Sequence, residues 1–232
     1  MVCHHIKQQL TCAPHRSGTS STSKQGKCSL QQLGLLQVDG SIEEIAPCIP
    51  FVKLLFLVMF GNCNDCKGWT LISQSILTAV SKNENSLEEL NLFWNYNDEA
   101  IRKLVPCFPY LQILCVVENE VITAAGFKIV SDTIHSAALK DENNLKILWL
   151  DGDYNDESII QLAPCAIYLE ELIIKNNKLI TRTGFRVLSD AIHSAVLQNV
   201  NCLRILDLTG IEIEKTLISE LKQRASYLEI KI

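Results

Sequence analysis

Residues 145–201, LKILWLDGDYNDESIIQLAPCAIYLEELIIKNNKLITRTGFRVLSDAIHSAVLQNVN, are written more than once in this chain. The first half of the stretch matches LEELNLFWNYNDEAIRKLVPCFPY from Leu87. The second half, from Leu169, matches LQILCVVENEVITAAGFKIVSDTIHSAALKDEN from Leu111. Leu87 and Leu145 are as far apart as Leu111 and Leu169, and a third copy begins after the same interval at Leu203. A fixed internal period of this kind is typical of proteins built from stacked repeats.

Each period, which we call a double repeat, consists of a short unit followed by a long unit, and both begin with the motif L-x-x-L-x-[LIV]. Apolar residues at alternate positions predict a β-strand with one buried face. The motif recurs as Leu87-Leu90-Leu92, Leu111-Leu114-Val116, Leu145-Leu148-Leu150, Leu169-Leu172-Ile174 and Leu203-Leu206-Leu208. Further strands are expected at Leu30-Leu33-Leu35, in the apolar run Phe51–Phe60, and at Tyr227–Ile232.

The segments between the strands predict helices. Two of them carry apolar residues at i, i+3, i+7 and i+11, which form one stripe facing the strands: Phe127-Val130-Ile134-Ala138 and Phe185-Leu188-Ile192-Val196. The pairs Asn97-Asp98 and Asn155-Asp156 stand where the helix of a short unit should begin, with side chains able to cap free N–H groups. Gly126 and Gly184 are expected where a tight turn or a close approach to the neighbouring unit excludes a Cβ.

These motifs resemble leucine-rich repeats. The long unit, as in ITRTGFRVLSDAIHSAV from Ile180, is similar to the ribonuclease-inhibitor-type repeat that is also found in NOD-like receptors. The short unit, as in DESIIQLAPCAIYLEEL from Asp156, resembles the cysteine-containing repeat of F-box-type proteins. The resemblance covers residues 29–232, which we expect to form one domain. It implies an α/β solenoid of about seven repeats, a right-handed horseshoe with a parallel β-sheet on the concave face and helices on the convex face.

Composition and charge argue against several classes of protein. Hydrophobic residues make up 47% of the chain and charged residues 20%, which are values of a folded globular protein. The net charge of −5 argues against a general phosphate-binding surface, so we expect no nucleic-acid partner. The most apolar run, Phe51–Phe60, includes Lys53 and is about half as long as a membrane-spanning helix. We therefore interpret it as a buried strand and expect no membrane partner.

The ten cysteines do not suggest a disulfide framework. Cys48, Cys107 and Cys165 occupy the same phase of successive units, so they should lie along the solenoid rather than face one another at bonding distance. We interpret them as small buried apolar residues. The chain also has no N-terminal signal pattern and no N-x-Ser/Thr sequon. A reducing setting, cytoplasmic or nuclear, fits this usage best, and we expect a cytoplasmic protein.

Residues 1–28 share nothing with the repeat, and Ser, Thr, Gly and Lys dominate residues 17–27, so we expect a disordered tail. The tail has no second ligand pair at zinc-finger spacing, and we expect no metal site at Cys3, His4, His5, Cys12 or His15. Cys63 and Cys66 also lack a partner pair, which favours an ordinary loop. The last strand has no polar repeat to cover it, so it is a candidate for end-to-end association, or the chain is a fragment of a longer protein.

No catalytic constellation is evident in the sequence. It contains no P-loop, no dinucleotide-binding glycine motif, no H-E-x-x-H and no G-x-S-x-G. His135 and His193 occupy the same place in successive double repeats, so a repeated surface position on equivalent helices accounts for both. The acidic pairs Glu88-Glu89 and Glu170-Glu171 also recur with the repeat and are interpreted as solvated strand positions. We therefore expect a protein that is not an enzyme and needs no cofactor.

The residues that alternate with the motif leucines point to the other face of the sheet, the concave face of a horseshoe. Solvent-facing positions do not need to be apolar, yet Phe56, Phe93, Val117, Trp149 and Ile173 form a contiguous candidate patch. Aromatic side chains with a charged rim are typical of protein-binding hot spots. The predicted partner-binding residues are Phe56, Asn91, Phe93, Val117, Trp149, Asp151, Ile173, Lys175 and Asp207, with Glu171 on the rim.

We therefore predict a non-catalytic module that binds a protein partner on its concave face, in the recognition or regulatory role that the resemblance implies. Two alternatives remain open. The cysteine-containing repeats suggest the substrate-recognition part of a ubiquitin ligase, although residues 1–28 contain no F-box helices. In the second alternative, the chain is a structural spacer or a fragment of a larger repeat protein. Its concave face has then become apolar without a binding role, or a flanking segment covers it.

Overall fold

The computed structural model describes residues 31–36, 42–59 and 67–232. In these ranges the chain forms a single sheet of eight parallel strands, in which each strand pairs with the next along the sequence. The strands are β1 (Gln32–Leu36), β2 (Leu54–Met59), β3 (Glu89–Trp94), β4 (Ile113–Val117), β5 (Ile147–Asp151), β6 (Glu171–Lys175), β7 (Ile205–Asp207) and β8 (Glu229–Lys231). The α-helices between them are α1 (Ile42–Ile45), α2 (Lys67–Ser81), α3 (Asp98–Leu104), α4 (Ala124–Ala138), α5 (Asp156–Ala166), α6 (Arg182–Leu197) and α7 (Lys215–Arg224).

The alternation of strand and helix confirms the α/β repeat that the internal period predicts. β2 begins at Leu54 rather than at Phe51, because Phe51 is the last residue of a 3-10 helix. The last strand is shorter than predicted and spans only Glu229–Lys231. Residues 1–28 and the Cys63–Cys66 loop lie outside the described residues. Among the helices described, none combines the length and the apolar character that crossing a bilayer requires.

The hydrophobic core lies on one face of the sheet. The motif leucines point to this face, as Leu148 and Leu150 of β5 do with 1% and 0% exposure. They form one continuous cluster with large helical side chains such as Trp69 of α2 and Phe127 of α4. Within β2–β7, none of the side chains that alternate with these core residues belongs to the cluster. The sheet thus has a packed face and, opposite it, a face that we call the open face.

A proline determines how the helices of the short units end. α1 and α3 each continue into a 3-10 helix, Ala46–Phe51 and Val105–Tyr110, which contains Pro50 or Pro109. The third copy has Ile167 at the equivalent position, and α5 stays α-helical as far as Ala166. α5 contains Pro164, the equivalent of Pro106, and stays α-helical, so the second proline is what distinguishes the first two copies. This proline removes one helical hydrogen bond and clashes with the carbonyl four residues back, at the residue where each 3-10 helix begins.

The predicted asparagine caps are confirmed. The Asn97 Oδ1 atom accepts a hydrogen bond of 2.9 Å from the Ala100 N–H at the start of α3. Asn155 Oδ1 accepts the equivalent bond, also 2.9 Å, from the Ser158 N–H at the start of α5. Each cap satisfies a backbone donor that has no partner within the first turn of its helix.

The aspartate after each cap links its short helix to the next long helix. Asp98 accepts hydrogen bonds from the Thr123 N–H at 2.9 Å and the Thr123 hydroxyl at 2.6 Å, and Thr123 in turn caps α4. A Cβ on Gly126 would approach the Ile122 side chain to 2.8 Å and Asp98 more closely still. The second copy of this arrangement is Asp156, Thr181 and Gly184. The two glycines therefore occur where neighbouring units approach closely, as predicted.

The prediction that Cys48 is buried is wrong, whereas Cys107 and Cys165 are both fully buried. Burial raises the pKa of each buried thiol to about 12, and each thiol is hydrogen-bonded to a serine of the preceding long helix, Ser73 or Ser131. The serine precedes the cysteine by the same number of residues in both copies. The residue that precedes Cys48 by this number is residue 14, which lies outside the described residues. Among the described residues, no helix comes before β1 to cover Cys48.

The apolar stripe of α6 is confirmed, because Val196 is half-buried and packs against the core behind Phe185, Leu188 and Ile192. In α4 the first three members of the stripe are buried, whereas Ala138 is half-buried and Ala137 is buried beside it. The buried side chains also include Ser131, which widens the buried arc.

Candidate functional site

The register of the sheet arranges the open face in three rows across β2–β7. The middle row is Phe56, Asn91, Cys115, Trp149, Ile173 and Asp207. The row toward the carboxyl ends of the strands is Val58, Phe93, Val117, Asp151 and Lys175. The row toward the amino ends is Leu54, Glu89, Ile113, Ile147, Glu171 and Ile205. All nine predicted partner-binding residues lie in the first two rows, and their role in binding stays a prediction.

Apolar side chains dominate this face. Eleven of the seventeen positions in the three rows are apolar, although none of the eleven joins the core cluster. Phe56 and Phe93 stack with their ring centroids 6.2 Å apart and an angle of 28° between the ring planes. Both rings are half-buried, so each still presents apolar area to solvent. The two rings form one end of the apolar surface.

Lys175 organises the other end of the face. Its ammonium lies 5.3 Å from the centroid of the Trp149 ring, a cation–π arrangement, and 3.1 Å from Asp207 Oδ2. Burial by itself would raise the pKa of Asp207, but hydrogen bonds from Thr209 and Lys175 and the Lys175 charge together hold it below its usual value. Asp207 is therefore a carboxylate, and it fixes the Lys175 side chain over the indole.

Three polar or small members of the middle row are buried. Asn91, Cys115 and Asp207 are 5%, 4% and 6% exposed, although the sequence predicts Asn91 and Asp207 as contacts for a partner. Their short side chains are flanked in the sheet by larger ones, such as Phe56 and Trp149. Burial raises the pKa of the Cys115 thiol to about 12, so it stays protonated. These residues form the floor of the face, and the longer side chains form its accessible surface.

Trp94 lies at the carboxyl end of β3 and was not predicted as part of the site. It ends β3 with a φ of 72°, a left-handed conformation that bulky residues rarely adopt. Its indole Nε1 donates a hydrogen bond of 2.6 Å to Glu118 Oε2. The equivalent positions of the next two double repeats are Gly152 and Gly210, which also have positive φ. Those two glycines are the sequence signal that this position requires a left-handed backbone.

Two further asparagines were also missed, and both follow a strand of a long unit. Asn177 is 1% exposed, and its Oδ1 accepts hydrogen bonds of 2.9 Å from the Leu179 and Ile180 N–H groups. Its Nδ2 donates to the Tyr154 carbonyl at 2.9 Å. Asn119, at the equivalent position of the preceding double repeat, makes the same two bonds to the backbone that follows it. The recurrence with the repeat is the signal that sequence reasoning overlooked.

The histidines are not at freely exposed positions. His135 and His193 are half-buried, and the Nδ1 atom of each is enclosed without a hydrogen-bond partner among the described residues. His135 contacts Tyr168 edge-on, with the ring centroids 5.3 Å apart. Across residues 31–36, 42–59 and 67–232, no three histidine, cysteine or acidic side chains are grouped so that they could hold a metal ion.

No protein-family model matches the chain, and no curated protein matches its sequence. Its internal repeat and its structure therefore define its class. The described residues form a repeat protein in which β-α units build one parallel sheet with a packed face and an open face.

Proposed function

We propose that the chain is a leucine-rich-repeat protein whose sheet lines the concave side of a right-handed horseshoe, and that it binds a protein partner through the open face. The observation that carries the proposal is the composition of that face: eleven of its seventeen side chains in β2–β7 are apolar and lie outside the core cluster. A solvated sheet face does not need apolar side chains, whereas the centre of a protein interface is enriched in them.

The aromatic side chains supply the anchors for such an interface. Trp149 of β5 lies between Phe93 and Lys175 in the sheet, with Lys175 on the adjacent strand and one strand, β4, between Trp149 and Phe93. Tryptophan is among the residues that most often dominate binding energy, because it buries a large area with few rotatable bonds. Lys175 adds a cation that Asp207 already holds in place.

The parallel strands also reduce the entropy cost of binding. Each open-face side chain projects from a hydrogen-bonded strand whose neighbours fix its position. A surface ordered before association loses less conformational freedom when a partner docks. A rigid face of this kind suits recognition of a partner rather than chemical transformation of a substrate.

Affinity capture from a cell lysate tests the proposal. The bait is the full chain, compared with the double variant Phe93→Ser, Trp149→Ser on the open face. The matched control is Leu139→Ser, Leu197→Ser, because these leucines are 70% and 74% exposed and lie at the ends of helices. Circular dichroism and a thermal melt establish that all three proteins are folded.

The proposal expects a protein that is captured by the wild type and by the leucine control but lost with the open-face variant. Capture that survives the open-face substitutions places the binding surface elsewhere. If no protein depends on either surface, the chain acts as a spacer in a larger assembly, and the proposed function is wrong.

A further inference from the structure

We propose that the partner presents apolar anchors flanked by Lys or Arg, with its basic residues over the carboxyl ends of β4–β6. This inference rests on the proposed function, since it describes the chemistry of what the open face would bind. It follows from the sign and the position of the charges on and around that face.

The open face of β2–β7 is acidic. Its acidic members are Glu89, Asp151, Glu171 and Asp207, and its one basic member is Lys175. Lys175 is already engaged by Asp207 at 3.1 Å and by the Trp149 ring. Three carboxylates on the face are therefore left without an opposing charge from the face itself, next to the apolar side chains that would bind an anchor.

Ion pairs occur at the amino-terminal edge of the sheet. Lys53 forms an ion pair with Glu88 at 3.1 Å, and Lys146 forms one with Glu170, also at 3.1 Å. Both pairs are exposed, and each joins residues at the amino ends of adjacent strands. Two acids of this edge are therefore already neutralised by a base, although no described base is paired with Glu89 or Glu171 of the neighbouring row.

The carboxyl-terminal edge is different, because its acids are hydrogen-bonded to neutral donors. The Trp94 indole donates to Glu118 at 2.6 Å, and the Asn176 amide donates to Asp151 at 2.9 Å. Asp153 accepts a bond of 2.7 Å from the backbone N–H of Lys178. A neutral donor orients a carboxylate without cancelling its charge. These acids therefore attract a cation, and in the loops that join β4 to α4, β5 to α5 and β6 to α6 the one base is Lys178.

The charge of the whole repeat region has the same sign. Four of the 21 basic residues and none of the 26 acidic ones precede residue 31, so the rest of the chain has 17 bases against 26 acids, a net charge of −9. A field of this sign accelerates association with a basic partner and weakens as salt is added. Residues 1–30 contain four basic residues, Lys7, Arg16, Lys24 and Lys27, so this segment could itself occupy the acidic face. A test must therefore distinguish it from a separate partner.

Three synthetic peptides serve as probes. All three carry Trp and Leu at the same positions. The remaining positions are all Lys in the first peptide, all Glu in the second and all Ser in the third. We expect the full chain to bind the Lys peptide most tightly, with an affinity that falls as salt is added. The variant Glu118→Gln, Asp151→Asn should bind it about fivefold more weakly, from the loss of two solvent-accessible charge interactions at the carboxyl ends of β4 and β5. The control Glu142→Gln, Glu220→Gln removes the same charge from exposed positions away from that edge and should change the affinity less than about twofold.

The outcomes separate this inference from the proposed function. Equal binding of the three peptides, all lost in Phe93→Ser, Trp149→Ser, overturns the basic partner but retains the open face as a binding surface. Equal weakening by both pairs of acid substitutions shows only a general charge effect and also overturns the inference. Binding that is unaffected by Phe93→Ser, Trp149→Ser contradicts the proposed function itself.

A fourth variant tests whether residues 1–30 occupy the acidic face. In it, Ser replaces Lys7, Arg16, Lys24 and Lys27. If it binds the Lys peptide with wild-type affinity, the open face is free for a separate partner, as proposed. If it binds severalfold more tightly, residues 1–30 compete for the acidic face, and the proposal of a separate partner is overturned in favour of that segment.

Discussion

The two faces of the sheet differ in the reason for their apolar side chains. On the packed face of β5, Leu148 and Leu150 are almost fully buried and join the core with the helices. Trp149 lies between them in the sequence, but its side chain is on the open face, half-buried and outside that core. One strand therefore carries apolar residues that the fold requires and an aromatic residue that it does not.

This difference separates folding from recognition along a single strand. Removing a packed side chain leaves a cavity among neighbours that cannot fully collapse, so its cost appears in the free energy of unfolding. Removing an open-face side chain leaves a solvated position, so its cost should appear mainly in binding. Adjacent residues thus provide matched pairs for experiment.

The largest effect is expected from Leu148→Ala, compared with Trp149→Ala. The leucine variant should lower the free energy of unfolding by about 2–5 kcal/mol, because it opens a cavity in the core. The tryptophan variant should lower it by about 1 kcal/mol or less, since it loses a partly exposed contact with Lys175. Urea denaturation measures both. Equal losses would mean that Trp149 is a core residue and would remove the distinction between the faces.

A smaller effect is expected from a glycine pair. Gly184→Ala would place a Cβ 2.5 Å from Asp156 Oδ1 and 3.1 Å from Asp156 Cα, and backbone at that distance does not yield easily. We expect a loss of about 1–3 kcal/mol, which exceeds the gain in helix propensity. On the open-face row, Gly34 pairs with Phe56, and a Cβ there meets no atom within 4 Å. Gly34→Ala should leave the thermal midpoint at or slightly above that of the wild type.

The third comparison uses two asparagines with similar burial, 1% for Asn177 and 5% for Asn91. Asn177→Ala leaves two backbone N–H groups and the Tyr154 carbonyl without their partner, which should cost about 1–3 kcal/mol. Asn91→Ala removes one bond to Glu89, whose half-buried carboxylate can turn to water, so the loss should stay below about 1 kcal/mol. Chemical denaturation measures the free energy of unfolding of both variants. A larger loss in Asn91→Ala than in Asn177→Ala would show that the open face contributes more to folding than its exposure indicates.

The strand register was predictable because the repeat fixes it. A slip of one residue would exchange Leu148 for Trp149 on the packed face, so the alternation of the motif specifies the pairing. The same alternation assigned all nine candidate residues to the open face. The helix caps were predictable because Asn at a helix start acts through local hydrogen bonds.

The remaining features depend on neighbours that alternation does not specify. Asn91 and Asp207 are buried because larger side chains flank them on adjacent strands, and side-chain size across strands is a tertiary property. Cys48 is exposed, and the position that matches Ser73 and Ser131 in its unit lies outside the described residues. The left-handed backbone of Trp94 was readable only from Gly152, its equivalent in the next double repeat, and not from Trp94 itself.

The smallest effect concerns Asp207, an open-face carboxylate whose pKa is lowered. Burial opposes the charge, but the Thr209 and Lys175 hydrogen bonds outweigh it and hold the folded-state pKa below the ordinary value of 3.8. Because the folded pKa is the lower one, the carboxylate stabilises the fold above pH 3.8, and this contribution is lost as pH falls through the folded pKa.

At neutral pH, Asp207→Asn should lower the free energy of unfolding by about 1 kcal/mol or less, and the difference from the wild type should vanish in strong acid. Urea midpoints measured from neutral pH downward test this, with Thr209→Val as an intermediate because it removes one of the donors to Asp207. A constant difference at every pH would mean that Asn disturbs packing rather than charge. A difference that grows in acid would mean that the folded pKa is raised, so that burial rather than Lys175 dominates this end of the open face.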